Sequence, residues 1–200
     1  MKTNPVTFFL SPPRCRTAWL SAYLTGMGVY CFHELWRTAT TPTAFAEAIW
    51  AKRQHGPVAN ADPSNWFFVD DLQRLFPDAQ FIELHRNPQD VYASLQRSYG
   101  EGPYESLLEA YERARQIHLV TKRGTYLMDW WNAETSKEIW WTASGGLLPF
   151  NEDWHQRCHE WNIQLTNERI ARDWQAAELG AYAHLTERLA SYLGGMRWVQ

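Results

Sequence analysis

The residues of this chain that are best suited to bind an anion lie in one loop near its start. A short apolar run at residues 6–10 is followed by two prolines, and Arg14, Arg16 and Thr17 come next. The helix-forming residues that follow predict the order strand, loop, helix. A helix N-terminus presents unpaired backbone N–H groups and a positive dipole end, to which arginine and threonine add further donors. The loop is therefore predicted to bind phosphate or sulfate.

Further polar residues follow the next three predicted strands. His33 and Glu34 come after the second strand, Asp70 ends the third, and Arg86 follows the fourth. In an open parallel sheet, ligands bind at the carboxyl ends of the strands. Together these residues predict a site for an anionic ligand with an acid–base group beside it.

The strands that position these residues alternate with helices along the chain. Predicted strands cover residues 6–10, 29–32, 66–70, 80–85 and 125–130. Predicted helices cover a segment from the first loop to Gly26, then 44–52 with Thr43 as its cap, 71–76, 89–97, 104–121, 133–144, a segment capped by Asn151, and about 167–193. This alternation, without hairpin signals, predicts an α/β fold with a mostly parallel central sheet and helices on both faces.

The composition is that of a globular protein. The 200 residues, 45% hydrophobic and 20% charged, favour a single domain spanning 1–200. A formal net charge of -3 argues against a broad nucleic-acid or membrane surface. No apolar stretch approaches the ~20 residues that span a bilayer. Cys15, Cys31 and Cys158 are odd in number and widely spaced, so we expect a reducing, cytoplasmic location.

Tryptophan is unusually common, with 12 residues. The pairs at 130–131 and 140–141 cannot both point inward from one face of a helix or strand. We expect one member of each pair to face a cleft, a partner or solvent.

Two familiar phosphate chemistries do not match the first loop. It lacks the glycines and the Lys-hydroxyl pair of GxxxxGK[ST], which argues against magnesium-dependent hydrolysis of a nucleoside triphosphate. A cysteine phosphatase would need a phosphate-binding arginine further round the loop, where this chain has Ser21. Cys15 is therefore predicted to be a packed residue and not a nucleophile.

Two motifs resemble those of a known family. Residues 13–20 read PRCRTAWL and residues 76–95 read FPDAQFIELHRNPQDVYASL. The first resembles the 5′-phosphosulfate loop of sulfotransferases, usually written PK/R-S-G-T-T-W-L, and the second resembles that family's 3′-phosphate motif. The resemblance implies a P-loop NTPase-like sulfotransferase architecture, with a nucleotide-binding half at 1–98 and a helical, Trp-rich acceptor-side half at 99–200.

The resemblance also implies roles for individual residues. Arg14 falls where the family has a catalytic Lys or Arg that contacts the bridging oxygen, and an arginine there acts electrostatically. Thr17 matches a hydroxyl that holds the 5′-phosphate. Arg86 and Ser94 match the pair that grips the 3′-phosphate. Backbone N–H groups that complete the 5′-phosphate cradle would come from Cys15, Arg16, Thr17, Ala18 and Trp19.

The chain departs from the family pattern at several positions. Arg16 replaces a glycine and either supplies a lost phosphate contact or reaches outward to an acidic partner. Ala18 replaces the second threonine, which removes one hydroxyl. A GxxGxxK segment near the C-terminus is missing. Adenine recognition is therefore unassigned, with Trp19 or an aromatic residue near Trp130 as the candidates for stacking.

His33 or Glu34 is the predicted general base, because both follow the neighbouring strand. Alternation along a strand means that only one of them faces the site. His33 is favoured because the unperturbed pKa of histidine suits a base near neutral pH. In the alternative interpretation, His33 packs and Glu34 is solvated.

The resemblance implies transfer of a sulfuryl group from 3′-phosphoadenosine 5′-phosphosulfate (PAPS) to a hydroxyl or amine, without a metal. The aromatic content favours a hydrophobic or planar small-molecule or glycan acceptor. Two alternatives stay open: a metal-dependent, kinase-like phosphotransferase and a non-catalytic nucleotide-binding module. His155, Cys158 and His159 have a spacing compatible with a metal site, but the helical pattern explains Cys158 as core. The oligomeric state is left open.

Overall fold

The fold is seen in a computed structural model, which describes residues 4–118, 124–126 and 132–164. Within these residues the strands are β1 (Val6–Leu10), β2 (Tyr30–His33), β3 (Val58–Ala61), β4 (Gln80–Leu84) and β5 (Gly124–Tyr126). They form one sheet in the order β2-β3-β1-β4-β5, and all four pairings are parallel. The predicted parallel α/β sheet is confirmed, with β1 at its centre.

Helices lie between these strands, and two more follow β5 in the part of the chain that the structure describes. In the described residues they are α1 (Thr17–Gly26), α2 (Pro42–Arg53), α3 (Val69–Leu75), α4 (Pro88–Tyr99), α5 (Tyr104–Ile117), α6 (Ala133–Ser144) and α7 (Glu152–Gln164). Two 3₁₀ turns, Leu35–Arg37 and Pro63–Phe68, follow β2 and β3.

The central strand β1 is buried on both faces. Phe8 lies in a hydrophobic cluster with residues of α2, α3 and α5. Its neighbour Phe9 points the other way, into a cluster with residues of α1, α6 and α7. This alternation follows from the two-residue period of a strand. Helices therefore cover both faces of the sheet, as the sequence predicts.

The third predicted strand is wrong. Residues 66–70 complete a 3₁₀ turn and begin α3, and the strand in this part of the chain is β3. Asp62 Oδ1 accepts a hydrogen bond from Ser64 N at 2.9 Å, and Pro63 follows Asp62, so the chain becomes helical directly after β3. Asp70 consequently lies in the first turn of α3 and not at a strand end.

The helix caps are partly as predicted. The structure begins α2 at Pro42, and Thr41 Oγ1 caps it by accepting from Ala44 N at 3.1 Å. The prediction of Thr43 as this cap is wrong, because Pro42 already fits the first helical position. Asn151 caps α7 as predicted, with its Oδ1 accepting from Trp154 N at 3.0 Å.

The Trp140-Trp141 pair is divided between core and surface. The side chain of Trp140 is 1% exposed, whereas that of Trp141 is 59% exposed. The pair at 130–131, the end of the predicted strand 125–130 and the predicted helix at 167–193 lie outside the described residues. Among the helices that the structure describes, none is long and apolar enough to cross a membrane.

Candidate functional site

The carboxyl ends of the strands meet at one edge of the sheet. In the register of the ladders, Phe9 and His33 both pair with Ala61, and Leu10 pairs with Glu83. The segments that leave β1, β2, β3 and β4 therefore start at nearly the same height. We call this region the carboxyl edge, and it brings together most of the residues that the sequence marks for chemistry.

The loop Ser11–Arg16, which joins β1 to α1, has an unusual backbone. Arg14 and Arg16 adopt left-handed conformations, with φ of 66° and 59°. Glu34, after β2, has φ of 54°. A left-handed conformation costs roughly 1–2 kcal/mol in a residue that carries a Cβ. Within the described residues, all three non-glycine residues with positive φ lie at the carboxyl edge, which is typical of a functional site.

The side chain of Arg14 crosses from this loop to α4. Its Nε donates to Ser94 Oγ at 3.1 Å, and its Nη2 donates to Ser98 Oγ at 2.8 Å. Its Nη1 lies 3.5 Å from the Tyr99 hydroxyl. The sequence assigned Arg14 and Ser94 to opposite ends of a nucleotide, whereas their side chains here touch each other.

Arg86, which follows β4, reaches back to the same loop. Its Nη1 donates to the backbone oxygen of Arg14 at 2.7 Å. Its Nε is buried and has no hydrogen-bond partner among the described residues. Burial lowers the pKa of the Arg86 guanidinium, and the positive charges of Arg14 and Arg97 act in the same direction. The unpaired N–H marks a position at which an anion would be stabilised.

Arg16 adds a third cation to this cluster. Its pKa is lowered by burial first and by the charge of Arg86 second. Arg16 is also the residue before α1, and its side chain makes no capping hydrogen bond to the helix. By contrast, Thr41, Asn87 and Asn132 cap α2, α4 and α6 with their side chains. The N-terminus of α1, with its unpaired N–H groups, thus follows directly on a loop that contains Arg14 and Arg16 and is contacted by Arg86.

A second group of residues lies where α1 starts and β2 ends. Thr17 Oγ1 is 3.2 Å from His33 Nε2. The same nitrogen is 3.7 Å from Glu34 Oε1. Glu34 Oε2 in turn accepts from Arg37 Nη1 at 2.5 Å. The predicted phosphate-binding hydroxyl and both predicted bases therefore lie together.

The electrostatics of His33 keep its ring neutral near pH 7. Burial is the main cause and lowers the pKa of the imidazole. Glu34 acts to raise this pKa and Arg37 acts to lower it. A neutral imidazole retains one nitrogen lone pair, which a general base requires.

Cys15 has the environment of a packed residue. Its side chain is 1% exposed, and burial raises the pKa of the thiol to about 12. The thiolate form is therefore scarce at neutral pH. The structure agrees with the sequence prediction that Cys15 is not a nucleophile.

The remaining predicted site residues are only partly at the carboxyl edge. Ala18 is half-buried in the first turn of α1. The ring of Trp19 is 7% exposed and stacks on Tyr23 with centroids 5.0 Å apart, and its Nε1 donates to Cys158 O. Stacking of Trp19 on an adenine is therefore not supported, because its ring packs against α7. Asp70 is exposed and lies 3.5 Å from His118 Nδ1.

Sequence reasoning missed several residues of the site. Ser98 lies one helical turn after Ser94, and that i, i+4 spacing was a usable signal. Asp62 is 1% exposed and accepts from Trp36 N at 2.9 Å, which fixes the turn after Glu34. Burial raises the pKa of Asp62 to about 6. Its signal was the Asp-Pro pair at 62–63, which is typical of a helix start.

The two histidines considered as metal ligands are engaged in hydrogen bonds. His155 Nδ1 lies 2.8 Å from the Tyr23 hydroxyl, and His159 Nε2 lies 2.8 Å from Ser136 Oγ. In the part of the chain that the structure describes, no group of three or more His, Cys, Asp or Glu residues is arranged to hold a metal ion.

Comparison with known families gives one match over much of the chain. The model described as the sulfotransferase family matches residues 8–140, which is more than half of the 200 residues. This match agrees with the resemblance of the two motifs. A search of curated proteins gives no significant match.

Solved structures with a similar fold are distant in sequence. The crystal structure of YorR protein from Bacillus subtilis, in complex with phosphorylated GDP, is 13% identical with a TM-score of 0.52. The alignment covers 67% of this chain and 92% of YorR. Shikimate kinase from Bacteroides thetaiotaomicron is 11% identical with a TM-score of 0.46, over 69% of this chain and 97% of the kinase. At this identity, the likeness to YorR supports the α/β fold alone.

Proposed function

Because the chain belongs to the sulfotransferase family, we propose that it transfers a sulfuryl group from PAPS to a hydroxyl or amine of an acceptor. The observation that carries this proposal is the meeting of Arg14, Arg86 and Ser94 beside the uncapped N-terminus of α1. This arrangement offers two adjacent anion-binding sites, one at the N-terminus of α1 and one at α4. A 3′,5′-diphosphorylated nucleotide has two anionic groups to fill them.

The residues present fit the 5′ side of such a nucleotide. Thr17 and the backbone N–H groups of the first turn of α1 would hold the 5′-phosphate. The absence of a side-chain cap on α1 supports this role, because an anion can take the place of the cap. Arg16 stands where the family has glycine, and its half-buried cation adds charge to the same cradle.

The 3′ side is supported by the contacts of α4. Arg86 would bind the 3′-phosphate with its buried, unpartnered Nε and its other N–H groups. Ser94 and Ser98 present hydroxyl groups to the same place, where Arg14 now holds them. A phosphate there would meet donors that are already oriented, which lowers the cost of binding.

The reaction itself needs little covalent chemistry from the protein. PAPS supplies the activated sulfuryl group, and adenosine 3′,5′-bisphosphate is the leaving group. Arg14 and Arg16 stabilise negative charge that develops on the leaving phosphate, because a guanidinium stays protonated. His33 or Glu34 takes the proton of the acceptor, and the lowered pKa of His33 keeps its ring available as a base at neutral pH.

The acceptor side is proposed on composition and position. Residues 1–98 would bind the nucleotide, and residues 99–200 would provide the wall of the acceptor site. A small-molecule or glycan acceptor with a hydrophobic or planar part suits the many aromatic residues of that half. The buried free thiols of Cys15, Cys31 and Cys158 support a cytoplasmic location.

Calorimetry with two nucleotides tests the donor. We expect adenosine 3′,5′-bisphosphate to bind more tightly than ATP with magnesium, because it can place one phosphate at the N-terminus of α1 and the other at Arg86 and α4. Tighter binding of ATP would instead support a kinase-like phosphotransferase and would refute the proposal.

Transfer from labelled PAPS tests the chemistry. We expect sulfate transfer to at least one member of a panel of phenols, alcohols, amines and glycans. Arg14→Ala is expected to remove most of that activity, and Arg74→Ala is the matched control because Arg74 pairs with Asp71 on α3. Bisphosphate binding without transfer to any acceptor would indicate a non-catalytic nucleotide-binding module.

A further inference from the structure

One contact joins two residues to which the proposed function gives separate tasks. Thr17 would hold the 5′-phosphate and His33 would accept a proton, yet Thr17 Oγ1 and His33 Nε2 lie 3.2 Å apart. Thr17 is 6% exposed, so this contact is largely shielded from solvent. The two tasks therefore compete for one hydrogen bond.

The competition follows from counting protons. A threonine hydroxyl has one proton to donate, and a phosphate oxygen and an unprotonated imidazole nitrogen both require it. Burial lowers the pKa of His33, so the ring is neutral near pH 7 and one of its nitrogens has a lone pair. When Nε2 is the nitrogen with the lone pair, Thr17 can donate to the imidazole or to the phosphate, but not to both.

Glu34 does not turn this group into a proton relay. A carboxylate–imidazole–hydroxyl relay uses both ring nitrogens, whereas Glu34 and Thr17 face the same nitrogen, Nε2. Glu34 Oε1 is 3.7 Å from that atom, which is beyond hydrogen-bond range. Arg37 binds the other oxygen of Glu34 and offsets its charge. Of these two contacts of Nε2, the one with Thr17 is the shorter.

We propose that Thr17 makes His33 available as a base only when the donor nucleotide is bound. Before the donor binds, the Thr17 hydroxyl donates to His33 Nε2 and occupies its lone pair. A 5′-phosphate then accepts the hydrogen bond from this hydroxyl in place of Nε2, and Nε2 becomes able to accept a proton from the acceptor. No covalent bond changes in this switch. The inference rests on the proposed function, and it adds an order to it: donor first, acceptor second.

The arrangement of charges supports this direction of exchange. The guanidinium groups of Arg16 and Arg86 lie at the loop that precedes Thr17, so an arriving phosphate is attracted to the start of α1. A hydrogen bond to a charged phosphate is about twice as strong as one to a neutral nitrogen. When a phosphate is present, the Thr17 hydroxyl therefore donates its hydrogen bond to the phosphate and not to His33.

Nitrogen NMR of the His33 ring tests the switch without knowledge of the acceptor. The chain has 7 histidines, and loss of one set of signals in His33→Gln assigns the ring. In the wild-type protein we expect Nε2 to be unprotonated and hydrogen-bonded. Adenosine 3′,5′-bisphosphate should shift the Nε2 resonance toward that of an unbonded nitrogen.

Variants at position 17 provide the matched controls. Thr17→Val keeps the shape and removes the hydroxyl, so Nε2 should already show the unbonded resonance and should respond little to the bisphosphate. Thr17→Ser keeps the hydroxyl and should behave as the wild type does. Calorimetry on the same samples establishes that Thr17→Val still binds the bisphosphate through Arg86 and Ser94.

Three results would overturn the inference. A protonated Nε2 in the free wild-type protein would show that Thr17 accepts this hydrogen bond and does not mask the base. Bisphosphate binding that leaves the Nε2 resonance unchanged would remove the switch and leave the proposed function standing. Failure of the wild-type protein to bind bisphosphate at all would refute the proposed function, and the switch with it.

Discussion

Helix α1 carries two pairs of a hydroxyl and a histidine, and they have opposite surroundings. Thr17, at its first residue, lies 3.2 Å from His33 at the carboxyl edge. Tyr23, later in the same helix, lies 2.8 Å from His155 of α7. The chemistry of the two contacts is the same. The difference between them lies in the groups around each pair.

The Tyr23 pair is enclosed, and its polar groups are paired. Tyr23 is fully buried and His155 is 6% exposed. Trp19 stacks on Tyr23, and Ser136 and His159 form a second hydrogen bond beside the pair. Burial raises the pKa of Tyr23 and lowers that of His155, so both stay neutral. A satisfied, neutral cluster of this kind stabilises the fold.

The Thr17–His33 pair lies among groups whose hydrogen bonds are incomplete or whose backbone is strained. Arg86 Nε has no hydrogen-bond partner within the described part of the chain, α1 lacks a side-chain cap, and Arg14 and Arg16 have left-handed backbones. Each of these features costs free energy in the protein alone. From this comparison we expect the state of the neighbours, and not the contact itself, to distinguish a structural hydroxyl–histidine pair from the functional pair proposed at Thr17.

The largest expected effect is on stability, at the enclosed pair. Tyr23→Ala removes a buried ring that packs on Trp19 and His155, and it should lower the free energy of unfolding by about 3–5 kcal/mol. Urea denaturation measures this loss. Tyr30→Ala is the control, because Tyr30 is 39% exposed and its removal should cost much less. Equal losses in the two variants would mean that the Tyr23 cluster is not a core.

The second effect is on binding, at the carboxyl edge. Arg86→Ala should weaken binding of adenosine 3′,5′-bisphosphate by ~1.5–3 kcal/mol, as expected for a hydrogen bond to a charged group. This loss corresponds to roughly 10- to 150-fold in Kd, measured by calorimetry. An unchanged Kd would refute the 3′-phosphate assignment and would break the contrast between the two regions.

A third, smaller effect is on the pH dependence of stability. Burial lowers the pKa values of His33, His155 and His159. Between the usual histidine pKa near 6.5 and these lower values, the unfolded chain binds more protons than the folded one, so acid favours unfolding. The urea concentration at which half of the protein is unfolded should therefore decrease when the pH is lowered from about 7.5 to about 5.5.

Asp62 acts in the opposite direction and provides the control. Its pKa is raised from 3.8 to about 6 in the folded protein, so the folded state holds its proton more tightly within that interval. This contribution increases stability as the pH falls through 6. Asp62→Asn should therefore make the acid loss steeper than in the wild type. A shallower loss would mean that the charge of Asp62 is stabilised by its hydrogen bonds to Trp36 and Ser64.

The last prediction concerns the thiols of the two regions, which we expect not to react with a thiol reagent in the folded protein. Burial raises the pKa of Cys15, in the loop before Thr17, to about 12 and that of Cys158, beside the Tyr23 pair, to about 11. A thiol reagent at neutral pH should label neither residue in the native protein and both after unfolding, as mass spectrometry would detect. Rapid labelling of Cys15 alone would show that the loop opens where the enclosed region does not.

Local signals made the first part of the site predictable. The apolar runs of β1 and β4 end at turn residues, and Pro88 marks the first residue of α4. These signals place Arg86 and Ser94 on adjoining elements without any knowledge of tertiary contacts. The approach of Arg14 to Ser94 was not predictable in this way, because 80 residues separate them in sequence.

The failures have a common physical cause. The run at 66–69 has high strand propensity, yet it forms the end of a 3₁₀ turn and the start of a helix, and only Phe68 of its side chains is partly exposed. The actual strand β3 has the modest sequence Val-Ala-Asn-Ala and is defined by pairing with β1 and β2. Small residues suit its position because both of its faces are covered. Tertiary packing here overrides local propensity, which a single sequence cannot reveal.

The strand order also determines when the site can appear as the chain folds. The central strand β1 pairs with β3 and β4. Val6 can therefore pair only after Val58 has been synthesised, and Phe8 can pair with β4 only after Phe81 has been synthesised. Such distant parallel pairings form slowly, because a long loop must close before any contact compensates for its entropy. During synthesis, Arg14 and Thr17 would leave the ribosome long before Arg86 and Ser94. The proposed nucleotide would therefore bind only to a nearly complete sheet, and its binding would favour the finished fold over partly folded chains.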